Sequence, residues 1–107
     1  MSKTLRVGLV QQSNSPDKNA NIQKSLDGIA DCARKGAQLV VLQELHCGIY
    51  FCQAEDTRMF DMAEPIPGPD TEVFSRAARE NGVVLVSSLF EKRAPGISHN
   101  TAVVFEK

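Results

Sequence analysis

Gln38-Leu39-Val40-Val41-Leu42-Gln43-Glu44-Leu45 decides how this chain is read. It is an apolar run, partly β-branched, that finishes on a carboxylate. A short run of this kind reads as a buried strand, here from near Ala37 to Glu44. In open α/β sheets ligands bind beyond the carboxyl ends of the strands. Glu44 therefore stands where a general base is useful. Partial burial among Leu42, Leu45 and Tyr50 would suit base catalysis near neutral pH.

Upstream of that run lies a helix and before it another strand. Leu5-Arg6-Val7-Gly8-Leu9-Val10-Gln11 is short and apolar and reads as the first strand. Ser13 to Asp17 is a turn cluster, with Pro16 biasing Ser15 away from helix. Asp17 or Asn19 then caps a helix. Ile22, Leu26, Ile29, Ala30 and Ala33 recur at helical spacing and predict its apolar stripe. Lys35 and Gly36 supply a basic last turn and a stop. This strand–helix–strand unit with short connections is the signature of parallel strands joined by a right-handed crossover.

Downstream, residues 46–64 are irregular and read as a loop with a short helical piece. Pro65, Pro67 and Pro69 forbid a helix interior. Pro69 suits the first turn of a second helix, with Asp70 and Glu72 near its positive end. Val73, Phe74, Ala77 and Ala78 give that helix its stripe, and Asn81-Gly82 stops it. Residues 83–89 predict a third strand, residues 93–96 a loop and residues 101–105 a fourth strand. The predicted order is β-α-β-α-β-β, an α/β layered arrangement. The last strand would be left as an edge at Lys107 unless further residues pair with it.

The chain has 107 residues, enough for at most one domain. Hydrophobic residues make up 42% and charged residues 23%, which suits a soluble globular protein. A formal net charge of −1 gives no basic excess for a phosphate backbone, so nucleic acid is not expected as a partner. No apolar run approaches the ~20 residues of a membrane span. The N-terminus runs straight into a strand pattern without the apolar core of a signal peptide. A cytoplasmic protein with no membrane partner is the expectation.

Few side chains other than Glu44 have a pattern that points to chemistry. Cys32, Cys47 and Cys52 lack a disulfide framework or zinc spacing. A nucleophilic cysteine needs a cation or helix N-terminus beside it, and free cysteine is usually a small core residue. His46 precedes Cys47, but neighbours on an extended chain point to opposite faces, which argues against a dyad. His46 and His99 read as loop histidines. Gly8 reads as a site of close packing. No phosphate-loop or dinucleotide motif is present, and Ser87-Ser88 lacks the nucleophile-elbow pattern. Asn100 reads as structural. Tyr50 and Phe51 could wall a small-molecule pocket or belong to the core.

Four segments taken together resemble the N-terminal part of the nitrilase superfamily of carbon–nitrogen hydrolases. They are Val7-Gly8-Leu9-Val10-Gln11-Gln12, residues 36–45 around Glu44, Ile66-Pro67-Gly68-Pro69 and Asn100-Thr101-Ala102-Val103-Val104. Within the superfamily, Leu42-Gln43-Glu44-Leu45 followed by Gly48-x-Tyr50-Phe51-Cys52-Gln53 is most similar to the N-carbamoylputrescine amidohydrolases. The β-ureidopropionases and other N-carbamoyl amine amidases share much of the pattern.

The resemblance implies that residues 1–107 are the N-terminal portion of a nitrilase-like α-β-β-α sandwich. It implies a Glu-Lys-Cys catalytic triad of which Glu44 is the glutamate, with the lysine and cysteine beyond Lys107, so that this stretch alone would be inactive. It implies hydrolysis of a small-molecule amide or N-carbamoyl amine, no metal or organic cofactor, and a homo-oligomer. A binding or assembly domain without catalysis is the contrasting expectation.

Overall fold

A computed structural model describes residues 4–48, 63–95 and 97–107. The elements are β1 (Val7–Val10), α1 (Lys18–Arg34), β2 (Leu39–Leu42), α2 (Pro69–Asn81), β3 (Val84–Ala94) and β4 (Ile97–Phe105). The order β-α-β-α-β-β is the one the periodicity predicts. The four strands form one sheet in the order β1-β2-β3-β4. β1, β2 and β3 run parallel, and β4 returns antiparallel at the edge.

Each helix starts and stops for a local reason. Asp17 is the N-cap of α1 and accepts from the Ala20 amide at 3.3 Å, satisfying one otherwise orphaned donor. At α2 the cap residue is Gly68, which has no side chain to offer. Thr71 replaces it by accepting from the Gly68 amide at 2.6 Å. Pro69 opens that helix at no cost in hydrogen bonds. Gly82 closes it at φ +64°, a conformation that costs other residues dearly.

Both helices pack on one face of the sheet. Ile29 of α1 and Phe74, Ala77 and Ala78 of α2 meet Val40, Leu42, Leu85, Leu89 and Phe105 in one buried cluster. Gly8 is a point of close approach between β1 and α1, since a Cβ there would stand 2.6 Å from Cys32 Sγ. The opposite face carries Leu9, Val41, Val86 and Val104 in register across all four strands. Leu9 is 76% exposed and Val104 62% exposed. In an α-β-β-α sandwich this is the face that meets the second sheet. Among the described residues no helix is long and apolar enough to cross a membrane.

Three expectations need correction. The most buried positions of α1 are Asn21, Ser25 and Ile29, spaced by four, while Ile22 and Leu26 are only half-buried. The helix is turned toward two polar residues because both find hydrogen-bond partners inside. Residues 93–96 are not a loop throughout: β3 runs to Ala94 with a register shift between Lys92 and Ala94, and β4 starts at Ile97. Asn100 and His99 therefore lie within β4 rather than before it. Finally, β2 ends at Leu42, and Glu44 opens the turn that follows.

Candidate active site

Glu44 projects from the turn just past the carboxyl end of β2 and is exposed among the described residues, which do not include its expected neighbour Tyr50. Leu42 and Leu45 bury their own side chains in the core and leave the carboxylate outside. It borders an open cleft of about 520 Å³ lined by the ends of β1 and β2, including Leu9, Val41, Gln12 and Gln43. Gln43 ties these two strand ends by accepting from the Gln12 amide at 2.6 Å.

A closed set of hydrogen bonds holds Glu44. Asn100 Nδ2 donates to Glu44 Oε1 at 2.5 Å. Asn100 Oδ1 accepts from Ser88 Oγ at 2.9 Å. Ser88 Oγ in turn accepts from the Leu45 amide at 3.0 Å. The side chain of Glu44 and the backbone just after it are thus fixed by two adjacent strands, β3 and β4. Leu45 adopts φ +50°, the one left-handed non-glycine residue among those described. Such a conformation costs about 1–3 kcal/mol and persists only where its surroundings enforce it. Here the buried Leu45 side chain and the Ser88 bond do so.

The rest of the turn is held from the helix side. The His46 carbonyl accepts from Gln12 Nε2 at 3.1 Å and from Asn14 Nδ2 at 3.0 Å. Asn14 also donates to the Gly48 carbonyl at 2.6 Å, and Asn21 Nδ2 donates to the Cys47 carbonyl at 3.2 Å. Three consecutive carbonyls are therefore satisfied by side-chain amides of the β1–α1 connection and the first turn of α1, as a buried loop requires.

His46 is not an ordinary loop histidine. It is fully buried. Its Nε2 lies 2.6 Å from Ser87 Oγ and its Nδ1 lies 3.0 Å from Ser25 Oγ. The ring meets Phe74 edge-on at 4.8 Å between centroids. Burial pushes its pKa down to about 4, so the ring is neutral. Cys47 Sγ is 3.6 Å from His46 Nδ1, on the same side, because residues 44–48 form a turn and not an extended strand. The two still make no nucleophilic dyad. Burial pushes the Cys47 thiol up to about 12, with Asp70 and Glu64 adding to the effect and Lys18 opposing it. It remains a protonated core thiol.

Lys18 bridges two of those carboxylates, reaching Glu64 Oε1 at 2.6 Å and Asp70 Oδ2 at 3.0 Å. Burial pulls the Lys18 ammonium down, but the two carboxylates together leave it raised. Tyr50, Phe51 and Cys52 lie outside the described residues. Sequence reasoning missed the inward role of His46, Asn21 and Ser25, and the link from Asn100 to Glu44. The signal for the first group is the four-residue spacing of Asn21 and Ser25 with Ile29 on one helix face.

A family model for carbon–nitrogen hydrolase matches residues 6–107. The chain belongs to the carbon–nitrogen hydrolase family. It is 38% identical to an omega-amidase NIT2-B of Xenopus laevis over 101 residues, covering 94% of this chain and 35% of that protein. It is 31% identical to an N-carbamoylputrescine amidase of Solanum lycopersicum over 104 residues, covering 96% and 35%. A crystal structure of a carbon–nitrogen hydrolase from Helicobacter pylori G27 superposes with a TM-score of 0.88 at 38% identity, covering 95% of this chain and 35% of that one. The chain thus spans about a third of the length of these carbon–nitrogen hydrolases. Its membership of the nitrilase superfamily accords with the four segments that resemble it, and its sheet with two helices is the nitrilase-type fold.

Proposed function

We propose that the complete protein hydrolyses the C–N bond of a small-molecule amide or N-carbamoyl amine, with N-carbamoylputrescine as its substrate and Glu44 as general base. One observation carries this reading. Glu44 stands just past the carboxyl end of an interior strand, with its carboxylate held in place by Asn100. A base held this way has its geometry set before substrate arrives. Family membership supports the reaction class, and the pattern of residues 42–53 supports the carbamoyl amine.

In the proposed mechanism Glu44 takes the proton of a cysteine thiol supplied by the rest of the domain. The thiolate attacks the ureido carbonyl, and a lysine, also supplied there, and a backbone donor stabilise the oxyanion. Ammonia leaves, and the carbonyl stays bound to sulfur. Glu44 then activates water, which releases the carbamate as carbon dioxide and putrescine. One water is consumed, and the thiol is regenerated. Tyr50 and Phe51 are proposed to wall the substrate pocket, and a homo-oligomer is proposed by family resemblance.

A second reading has an observation of its own: the 38% identity to an omega-amidase exceeds the 31% identity to the carbamoylputrescine enzyme. The two chemistries differ in their products. A ureido substrate yields ammonia and carbon dioxide in equal amounts, whereas a carboxamide yields ammonia and a carboxylate. The test is ammonia and carbon dioxide release by the complete protein from N-carbamoylputrescine and from an ω-amide of a dicarboxylic acid. Equal release of both gases from the first supports the proposal. Ammonia from the second alone favours the omega-amidase reading. Silence on both overturns the amidase assignment.

A further inference from the structure

His46 is a buried titratable group that the proposed chemistry does not use. Its surroundings place a serine hydroxyl against each ring nitrogen. Ser25 has one hydroxyl proton, with Gln12 Oε1 at 3.0 Å and the Asn21 carbonyl at 3.2 Å as its acceptors. If Ser25 donates to Gln12, its oxygen is free to accept from His46 Nδ1–H. The bare Nε2 then accepts the Ser87 hydroxyl proton. Gln12 Nε2 reaches the His46 carbonyl at 3.1 Å, beside Asn14 Oδ1 at 2.8 Å and the Asn21 carbonyl at 3.0 Å, which share its two protons. The donors run in one direction around a closed ring: His46 side chain, Ser25, Gln12, His46 backbone.

We propose that His46 is a positioning residue that clamps the turn carrying Glu44, through the ring it forms with Ser25 and Gln12 and through its bond to Ser87. The inference rests on the reading of Glu44 as the base. His46 is two residues from Glu44 and never touches the carboxylate. It holds the helix side of the turn, while Ser88 and Asn100 hold the sheet side. Phe74, set edge-on to the ring, adds α2 to the clamp. Both helices and the sheet thus converge on residues 44–48.

The test uses the complete protein with three versions of this position: wild type, His46→Phe and His46→Asn. Phenylalanine keeps a ring against Phe74 but has no hydrogen bonds. Asparagine loses the ring, but its amide nitrogen falls near Nδ1 and can still donate to Ser25. Hydrogen–deuterium exchange of the peptide spanning residues 44–48 reads the clamp without reference to activity. It should accelerate about tenfold or more in His46→Phe and return toward wild type in His46→Asn. Turnover should follow the same order, with kcat reduced about tenfold in His46→Phe, partly restored in His46→Asn and KM unchanged within about twofold.

Thermal stability gives the contrast, because a purely structural residue would make kcat track Tm. Unchanged exchange in His46→Phe overturns the clamp. Faster exchange with unchanged kcat overturns the positioning role. A wild-type protein that releases no ammonia, yet shows faster exchange in His46→Phe, supports the clamp and overturns the amidase reading instead.

Discussion

Asn100 donates its side-chain amide to Glu44 at 2.5 Å, from β4 to a residue at the end of β2, across the whole width of β3. A hydrogen bond to a charged group contributes about 1.5–3 kcal/mol. Asn100 also receives the Ser88 hydroxyl, so its orientation is itself fixed. Removing it leaves Glu44 free to leave the geometry that base catalysis requires.

Asn100→Ala in the complete protein should therefore lower kcat about 10- to 100-fold, since each 1.4 kcal/mol is a factor of ten. The fold should survive, because Asn100 lies outside the buried core cluster. Steady-state kinetics with a Tm measurement checks both halves. Wild-type kcat in a folded Asn100→Ala variant would remove this residue from the support of Glu44.

His46 sets a pH dependence of stability. Its folded pKa of about 4 lies below the ordinary 6.5, because burial disfavours the imidazolium. Between those values the unfolded chain binds more protons than the folded one, so stability falls as pH drops from 6.5 toward 4. The loss is bounded at roughly 3 kcal/mol, at about 1.4 kcal/mol per pH unit. The Tm advantage of wild type over His46→Phe should shrink across that window. A difference that stays constant from pH 7 to pH 4 would contradict it.

Gly8 records how closely α1 approaches β1. A methyl group there would meet Cys32 Sγ at 2.6 Å and Cys32 Cβ at 2.7 Å. Gly8→Ala should destabilise the complete protein by about 1–3 kcal/mol through overpacking. Cys32→Ala should give only partial relief, because the Cβ contact remains. Chemical denaturation of the single and double variants checks the coupling, and full recovery in the double variant would assign the clash to sulfur alone.

The order of elements was legible because each element carries its own period and its own stop. Pro69 and Gly82 bound α2 where the sequence places its ends, and Gly8 packs closely as expected of a glycine inside a strand. The placement of Glu44 at the carboxyl end of the second strand was legible from the apolar run before it, although β2 itself stops two residues earlier, at Leu42. The polar interior was not. Asn21 and Ser25 are buried by hydrogen bonds to residues far along the chain, and no apolar period signals them. The side on which His46 and Cys47 lie depends on the left-handed Leu45, which turns the chain where an extended reading alternates faces. The partnership of Asn100 with Glu44 spans 56 residues and follows from sheet order, which local pattern does not encode.

Glu44 is proposed as the base of an amide-hydrolysing site. The most direct measurement is turnover by Glu44→Gln in the complete protein, with ammonia release as the readout. Glutamine keeps the shape of the side chain and cannot take a proton. A fall in kcat of about a thousandfold or more is expected, with Tm close to wild type. A folded Glu44→Gln protein that releases ammonia at near wild-type rate would contradict it.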